Sequence, residues 1–356
     1  MMRKIYGIAA ALALVFASAG AAAATDIKIK GYFDFVYGWY SNTSTFGGVD
    51  SNGQSISDDS NPYAAQRLRF QIDFVASEQL SGTVQFEIGD IHWGSGGGDT
   101  WGYTGQSGRG SGGAMGSDGV NVETKHAYID WIVPETDLSI RMGILPFALP
   151  NYANGPLSGG AVLDDDMAGI VASYAFNDYV GVTLSWIRPW NPLIHDDEDT
   201  IWSDGKGSHD AIDLFVLTLP LTFADYGLEI TPWGIYGSIG EVDTDSDLVS
   251  GTLSRYGSIG GGLSGTGGLG DGGNAWWAGL SFKIDTWDPF FIYADFMYGA
   301  YTSDDLAQWD NSGSYLGKFD NDRDGWAVSA RIGYRLDNMT PSIIGWYGSG
   351  MKDGDS

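Results

Sequence analysis

Seven cations sit at alternate positions of segments that read as strands: Lys28, Lys30, Arg67, Arg69, Arg141, Arg331 and Arg335. Three consecutive carboxylates, Asp164, Asp165 and Asp166, close a stretch loosened by Gly155, Gly159 and Gly160 and turned by Pro146, Pro150 and Pro156. Guanidiniums stay charged at all ordinary pH, and carboxylates with free access to water stay ionised near neutrality. Opposed across a wet gap, the two sets would impose a transverse field that orients polar solutes, penalises apolar ones and sets ion preference. The plainer alternative is a set of solvated charges on a wet wall and a surface loop after an edge strand.

Other clusters carry less. Asp320, Asp322, Asp324 and Gly325 match the start of a calcium loop, but Arg331 stands at the twelfth position where a bidentate Glu is needed, so this is no EF-hand. Asp243, Asp245 and Asp247 form a similar group, and on both loops solvated acids are the leading reading ahead of low-affinity Ca²⁺. Glycines 102, 105, 108, 110 and 112 give phosphate-loop spacings through abundance alone. His92, His126, His195 and His209 show no ligand spacing, and no Ser, His and Asp arrangement stands out for a hydrolase. The expectation is therefore a non-enzyme without a cofactor.

The elements that must position these charges are strands. Leu138, Ile140, Met142 and Ile144 alternate with Ser139, Arg141 and Gly143 just before the Pro- and Gly-rich stretch. From Asp26, Ile27, Ile29, Phe33, Phe35, Tyr37 and Trp39 alternate with Lys28, Lys30, Tyr32 and Asp34. The same period of two recurs from Arg67 to Phe74, Val84 to Ile88, His126 to Trp131, Ile170 to Phe176, Val180 to Trp186, Leu228 to Thr231, Trp276 to Ile284, Phe290 to Tyr298 and Trp326 to Arg335, with a last strand through Ile344 and Trp346. Near Ala211 to Leu219 both registers are apolar and the facing stays open. The count is about thirteen strands.

Connections alternate strictly between short, about 2 to 5 residues, and long, roughly 17 to 35, the pattern of spanning barrels with tight turns at one end and long loops at the other. A secreted sandwich or solenoid alternates apolar and polar residues too, yet has no reason to sort its loops by length. Lipid offers no partners for backbone donors, so a spanning sheet must close on itself. Trp39, Tyr40, Tyr179, Trp190, Tyr226, Trp287, Tyr301 and Trp346 lie near strand ends, where an interfacial aromatic belt would fall.

Composition agrees. Arg3 and Lys4, an apolar run to Ala19 and small residues through Ala24 make residues 1–24 a secretory signal peptide, leaving residues 25–356 as one barrel domain. That run is too short to span, and no later window offers about 18 uninterrupted apolar residues. Only 18% of residues are charged, 14% are aromatic and 54 of 356 are glycine, which fits strands joined by many loops. Zero Cys excludes disulfides and thiolate metal sites. A net charge of −27, about −29 once Arg3 and Lys4 leave with the signal, argues against a nucleic-acid partner.

The connection pattern, the RMGILPF strand and the VLDDDMAG segment resemble the bacterial outer-membrane trimeric porins, most closely the homotrimeric porins of sulfate-reducing deltaproteobacteria. The resemblance runs from about Asp26 to the end of the chain. It implies an all-β transmembrane antiparallel up-and-down barrel of sixteen strands in a homotrimer, embedded among outer-membrane lipid and lipopolysaccharide of a Gram-negative cell. It implies too that Pro150 to Asp166, following the fifth strand, folds inward as the constriction, with Arg67, Arg69 and Arg141 facing Asp164, Asp165 and Asp166. The expected function is passive diffusion of small hydrophilic solutes and ions. A sugar-selective porin with Tyr32, Tyr128, Trp233, Trp277 and Tyr293 stacking on saccharides is the nearer alternative, and a barrel enzyme the further one. Thirteen strands is an odd count and the chain ends on GSGMKDGDS rather than an aromatic residue, so the sequence reads as truncated at its C-terminus.

Overall fold

The computed structural model describes residues 26–40, 61–93, 122–155, 159–190, 211–239, 273–303, 306–309, 315–319 and 323–349. The signal segment 1–24 and the acidic clusters at Asp243–Asp247 and Asp320–Asp322 lie outside these. Two compact units divide between Ile129 and Asp130. Every sheet pairing within them is antiparallel, so the fold is the all-β, up-and-down class that the period-two pattern predicts.

In the first unit β1 (Asp26–Tyr40) pairs with β2 (Asn61–Val75) from Asp26↔Val75 to Tyr40↔Asn61, and β2 pairs with β3 (Leu80–His92). The turn between β2 and β3 is closed by the Ala76 N–H donating to the Leu80 carbonyl at 3.0 Å. Register puts Lys28, Lys30, Asp34, Arg67, Arg69, Asp73 and Glu87 on one face, while Ile27, Ile29, Phe33 and Phe35 stand exposed on the other. β4 (Val122–Ile132) runs across the division.

In the second unit β5 (Leu138–Ala148), β6 (Asp164–Ala175), β7 (Gly181–Trp190), β8 (Ile212–Thr218), β10 (Leu228–Ile239), β11 (Gly273–Ile284), β12 (Phe290–Ser303), β15 (Arg323–Tyr334) and β16 (Ser342–Gly348) neighbour one another in that order. Between them, the short β9 (Leu221–Phe223) pairs with the start of β10, and β13 (Leu306–Trp309) pairs with β14 (Tyr315–Phe319). A 3₁₀ turn at Ala224–Tyr226 ends on Gly227, whose φ of 58° is open to glycine at little cost. Among the described residues no helix is long and apolar enough to cross a membrane.

Two boundaries differ from the sequence reading. β5 continues through Pro146 to Ala148, since proline's fixed φ is compatible with extended backbone near a strand end. β6 begins at Asp164 rather than Ile170, because Asp164, Asp165 and Asp166 pair with Ala148, Phe147 and Pro146. Three adjacent carboxylates look like a loop by composition, yet the β5–β6 ladder simply continues through them.

Between β5 and β6 the chain leaves the ladder and returns, its base closed where the Leu149 N–H donates to the Leu163 carbonyl at 2.9 Å. The segment includes one helical turn, α1 (Gly159–Val162), and packs on what is here termed the inner face of β7, β8, β10, β11 and β12. Leu149, Val162, Leu163 and Met167 join Ile187, Ile212, Leu214, Val216, Trp233, Ile235 and Ile239 in one buried cluster. Full burial of a side chain of this size stabilises by roughly 1.5–3 kcal/mol, so the segment is held as part of the wall. This explains the ambiguity at Ala211–Leu219. Ile212, Leu214 and Val216 are buried under the segment, while Phe215 and Leu217 are exposed on the opposite face, so both registers must be apolar. Where inner aromatics cross to the next strand, glycine receives them: a Cβ on Gly279 would lie 2.2 Å from the Trp233 ring, and one on Gly299 2.3 Å from that of Trp277.

Candidate functional site

The site grows from four inner-face positions that register aligns in a row across four strands: Thr231 on β10, Ser281 on β11, Asp295 on β12 and Ser329 on β15. Each is polar, and each is buried, Asp295 to 2% exposure and Ser281 to 0%. The segment after β5 covers them by crossing the strands. Ser281 Oγ donates a long 3.4 Å bond to the Pro150 carbonyl, and Tyr152 OH shares a 2.8 Å bond with Thr231 Oγ1. Asp295 accepts the Tyr152 N–H at 3.0 Å and the Ala153 N–H at 2.7 Å. Gly155 meets Ser329 so closely that a Cβ there would stand 2.8 Å from the serine Cβ. The buried carboxylate is thus satisfied by backbone donors rather than by a cation, the condition for keeping a charge out of water.

Beside this row lies a second one, Glu229↔Lys283↔Tyr293↔Arg331. Lys283 Nζ bonds Glu229 Oε2 at 2.9 Å and stands 4.3 Å from the centre of the Tyr152 ring, so the infolded segment is also pinned by a cation–π contact. Tyr293 OH donates to Asp285 Oδ1 at 3.1 Å and accepts from Arg335 Nη2 at 2.9 Å. At the following turn Arg335 pairs with Asp285 and lies 3.5 Å from Asp288. Hydrogen bonding to Asp285 raises the Arg335 pKa further above its ordinary value.

Of the expected basic residues, Lys28, Lys30, Arg67, Arg69 and Arg141 divide between the units, and each of these five has an acid beside it. In the first unit Arg67 lies 3.0 Å from Asp34 and 3.9 Å from Glu87, and Arg69 Nε donates to Glu87 at 2.6 Å while its Nη1 donates to Tyr32 OH at 2.9 Å. In the second, Arg141 makes a two-bonded contact to Asp130 at 2.7 and 3.0 Å. Lys30 lies 3.3 Å from Asp73 and Lys28 4.0 Å from Asp26. The first unit's Lys28, Lys30, Arg67 and Arg69 are therefore matched one to one by Asp26, Asp73, Asp34 and Glu87. Sequence reasoning weighed the cations and passed over these acids, although Asp34, Asp73 and Glu87 occupy the same alternating positions.

The three expected acids do not share a face. Asp165 pairs with Phe147 and lies on the inner face with Arg141 and Met167; Asp164 and Asp166 pair with Ala148 and Pro146 and follow Ile140, Met142 and Ile144 on the opposite face. Together with Pro146, Phe147 and Ala148 they line an open recess. Asp324, the second residue of β15, accepts from Tyr298 OH at 3.3 Å. Among the described residues no three His, Cys, Asp or Glu side chains gather as a metal site.

No protein-family description matches this sequence, and no curated relative matches it. Solved structures do. The outer-membrane channel DcaP of Acinetobacter baumannii is similar over 94% of this chain and 81% of its own, at 13% identity and a TM-score of 0.45. OmpF of Salmonella typhi, solved with daunomycin, covers 91% and 79% at 13% identity and 0.43, and Pseudomonas putida OprB covers 87% and 75% at 13% and 0.40.

Of the aromatics expected to stack on sugars, Trp233 is 4% exposed beneath the infolded segment and Trp277 packs against the same cluster. Tyr293 is engaged by Asp285 and Arg335, while Tyr32, 46% exposed, has the Arg69 guanidinium carbon 6.0 Å from its ring centre. The residues that sequence reasoning missed are Thr231, Ser281, Asp295 and Ser329. Their signal was faint: small or acidic side chains at equivalent heights of four strands, one of them 142 residues from its partner.

Proposed function

We propose that this chain forms a water-filled channel of the porin kind in the outer membrane of a Gram-negative bacterium, passing small hydrophilic solutes and ions by passive diffusion, as a homotrimer among lipid and lipopolysaccharide. The observation that carries this is the segment seated across the inner face and pinned by Asp295, Thr231 and Lys283. A plug of side chains anchored on one wall narrows a lumen without closing it. The opposite face supports the setting. Leu184, Phe215, Trp276, Phe296, Trp326 and Ile332 stand 41 to 57% exposed there, more apolar surface than a soluble protein tolerates and what a lipid-facing wall requires.

Charges then divide by task. Arg141, Asp165, Lys283, Glu229 and Arg331 line the passage beside the segment in the second unit, and Arg67 and Arg69 with their acids line the wall of the first. Paired charges leave a field of alternating sign with little net bias, suited to polar solutes of either charge. The burial of Trp233 removes one of the five rings that a sugar slide would use, and Trp277 is half-buried against the same cluster.

The test is reconstitution of the purified protein in planar lipid bilayers. Stepwise conductance increments that scale with bulk salt are expected. A protein that folds, inserts and opens no conductance refutes the reading.

A further inference from the structure

One guanidinium on the inner face departs from the pattern of matched pairs. Arg141 is held by Asp130, Lys283 by Glu229 and Arg335 by Asp285 and Asp288. Among the described residues, Arg331 has no carboxylate within the 4.0 Å of an ion pair. Its Nε donates to Ser342 Oγ on β16 at 3.0 Å, and its guanidinium carbon stands 5.7 Å from the centre of the Phe291 ring. Both contacts orient the group without neutralising it. Phe291 is 2% exposed and Ser342 a neutral hydroxyl, so neither contact supplies a counter-charge, the Nε edge is occupied, and the two Nη groups keep their donors.

We propose that Arg331 is a binding station for small oxyanions, carboxylates and phosphate, on the wall of the channel. The inference rests on the channel reading above and adds what the passage selects. A fixed guanidinium presenting two Nη groups matches the two oxygens of a carboxylate or phosphate, which ammonium groups meet only as point charges. Ser342 keeps its own O–H as a further donor. Arg335 also faces the Phe291 ring, at 4.8 Å, but Asp285 and Asp288 cancel its charge, so the attraction for an anion centres on Arg331. Lys283, one strand beyond Tyr293 in the same row, is spent on Glu229. A single exchangeable anion held by one partly wet guanidinium binds weakly enough to leave, as flux requires.

The test uses the purified protein in planar bilayers with chloride as carrier and inorganic phosphate, then acetate, added to one side. Chloride current should fall saturably with either probe. In Arg331→Gln the half-saturating concentration should rise about tenfold or more, the loss expected for one charged hydrogen-bonding partner. Lys30→Gln removes the same formal charge from a matched pair of the first unit and should keep the saturation. Titration calorimetry of phosphate into the detergent-solubilised protein gives a second readout that needs no current. Normal conductance with no saturable effect, or an equal loss in Lys30→Gln and Arg331→Gln, overturns the station and leaves the channel standing. Absence of any conductance overturns the channel reading, and calorimetry showing no difference between wild type and Arg331→Gln then removes the station as well.

Discussion

The Ala153 N–H and the Asp295 carboxylate meet at 2.7 Å across 142 residues of chain, and the Tyr152 N–H shares the same carboxylate at 3.0 Å. This contact fixes where the infolded segment stops. Asp295→Ala would leave two backbone donors facing an apolar side chain, at about 1–3 kcal/mol for each unsatisfied group. The expected outcome is a protein that still inserts, because the apolar cluster around Leu149 and Leu163 remains, but whose single-channel current is larger and noisier. Asp295→Asn keeps one acceptor and should fall between. Identical open-channel noise in all three proteins would show that the segment is held by its apolar side alone.

Glu87 offers a cleaner electrostatic test. It is 7% exposed and serves two guanidiniums, Arg69 at 2.6 Å and Arg67 at 3.9 Å. Glu87→Gln preserves shape and removes the charge that balances them. Reversal potential in a salt gradient should move toward anions, and Arg69→Gln, which strands the acid instead, should move it toward cations. A shift of the same sign in both variants would place this cluster away from the conducting path.

How much of this was legible in the sequence follows from which contacts are local. Period-two alternation is a property of one strand, so Ile27 to Trp39 or Trp276 to Ile284 could be assigned with no partner in view. The face of Ile212–Thr218 could not, since three of its five apolar residues answer to a segment some 50 residues earlier. Asp164–Asp166 misled by composition, because a ladder accepts any residue whose backbone is extended. Asp295 was invisible: within FFIYADFMYGA it is one acid on a polar face, and only the fold brings Ala153 to it. Arg331 stood in the sequence as one of seven cations; its lack of an acid partner emerges only once the other pairs are drawn.

Packing on the inner face gives a stability prediction. Gly279 faces Trp233 directly across the β10–β11 ladder, and the ring occupies the space of a Cβ. Gly279→Ala must push the indole out of the buried cluster, and overpacking of this kind costs typically 1–3 kcal/mol. The midpoint of thermal unfolding in detergent should fall in Gly279→Ala, while Gly345→Ala, with nothing within 4 Å of the new Cβ, should leave it unchanged. Equal midpoints for the two variants would mean that Trp233 does not rest on this strand in the folded protein.

The acidic triplet provides the sharpest test of register. Alternation along β6 places Asp165 on the face of Arg141, and Asp164 and Asp166 on the face of Ile140 and Ile144. Screening confines a charge's influence on ion preference to about 8–10 Å at physiological salt, so only an acid open to the passage should count. Asp165→Asn alone should therefore shift the reversal potential toward anions by nearly as much as replacing all three, and the Asp164→Asn, Asp166→Asn pair should shift it little. If the pair carries the effect and Asp165 does not, β6 enters its ladder one residue out of step with β5, and every inner-face position on that strand must be reassigned.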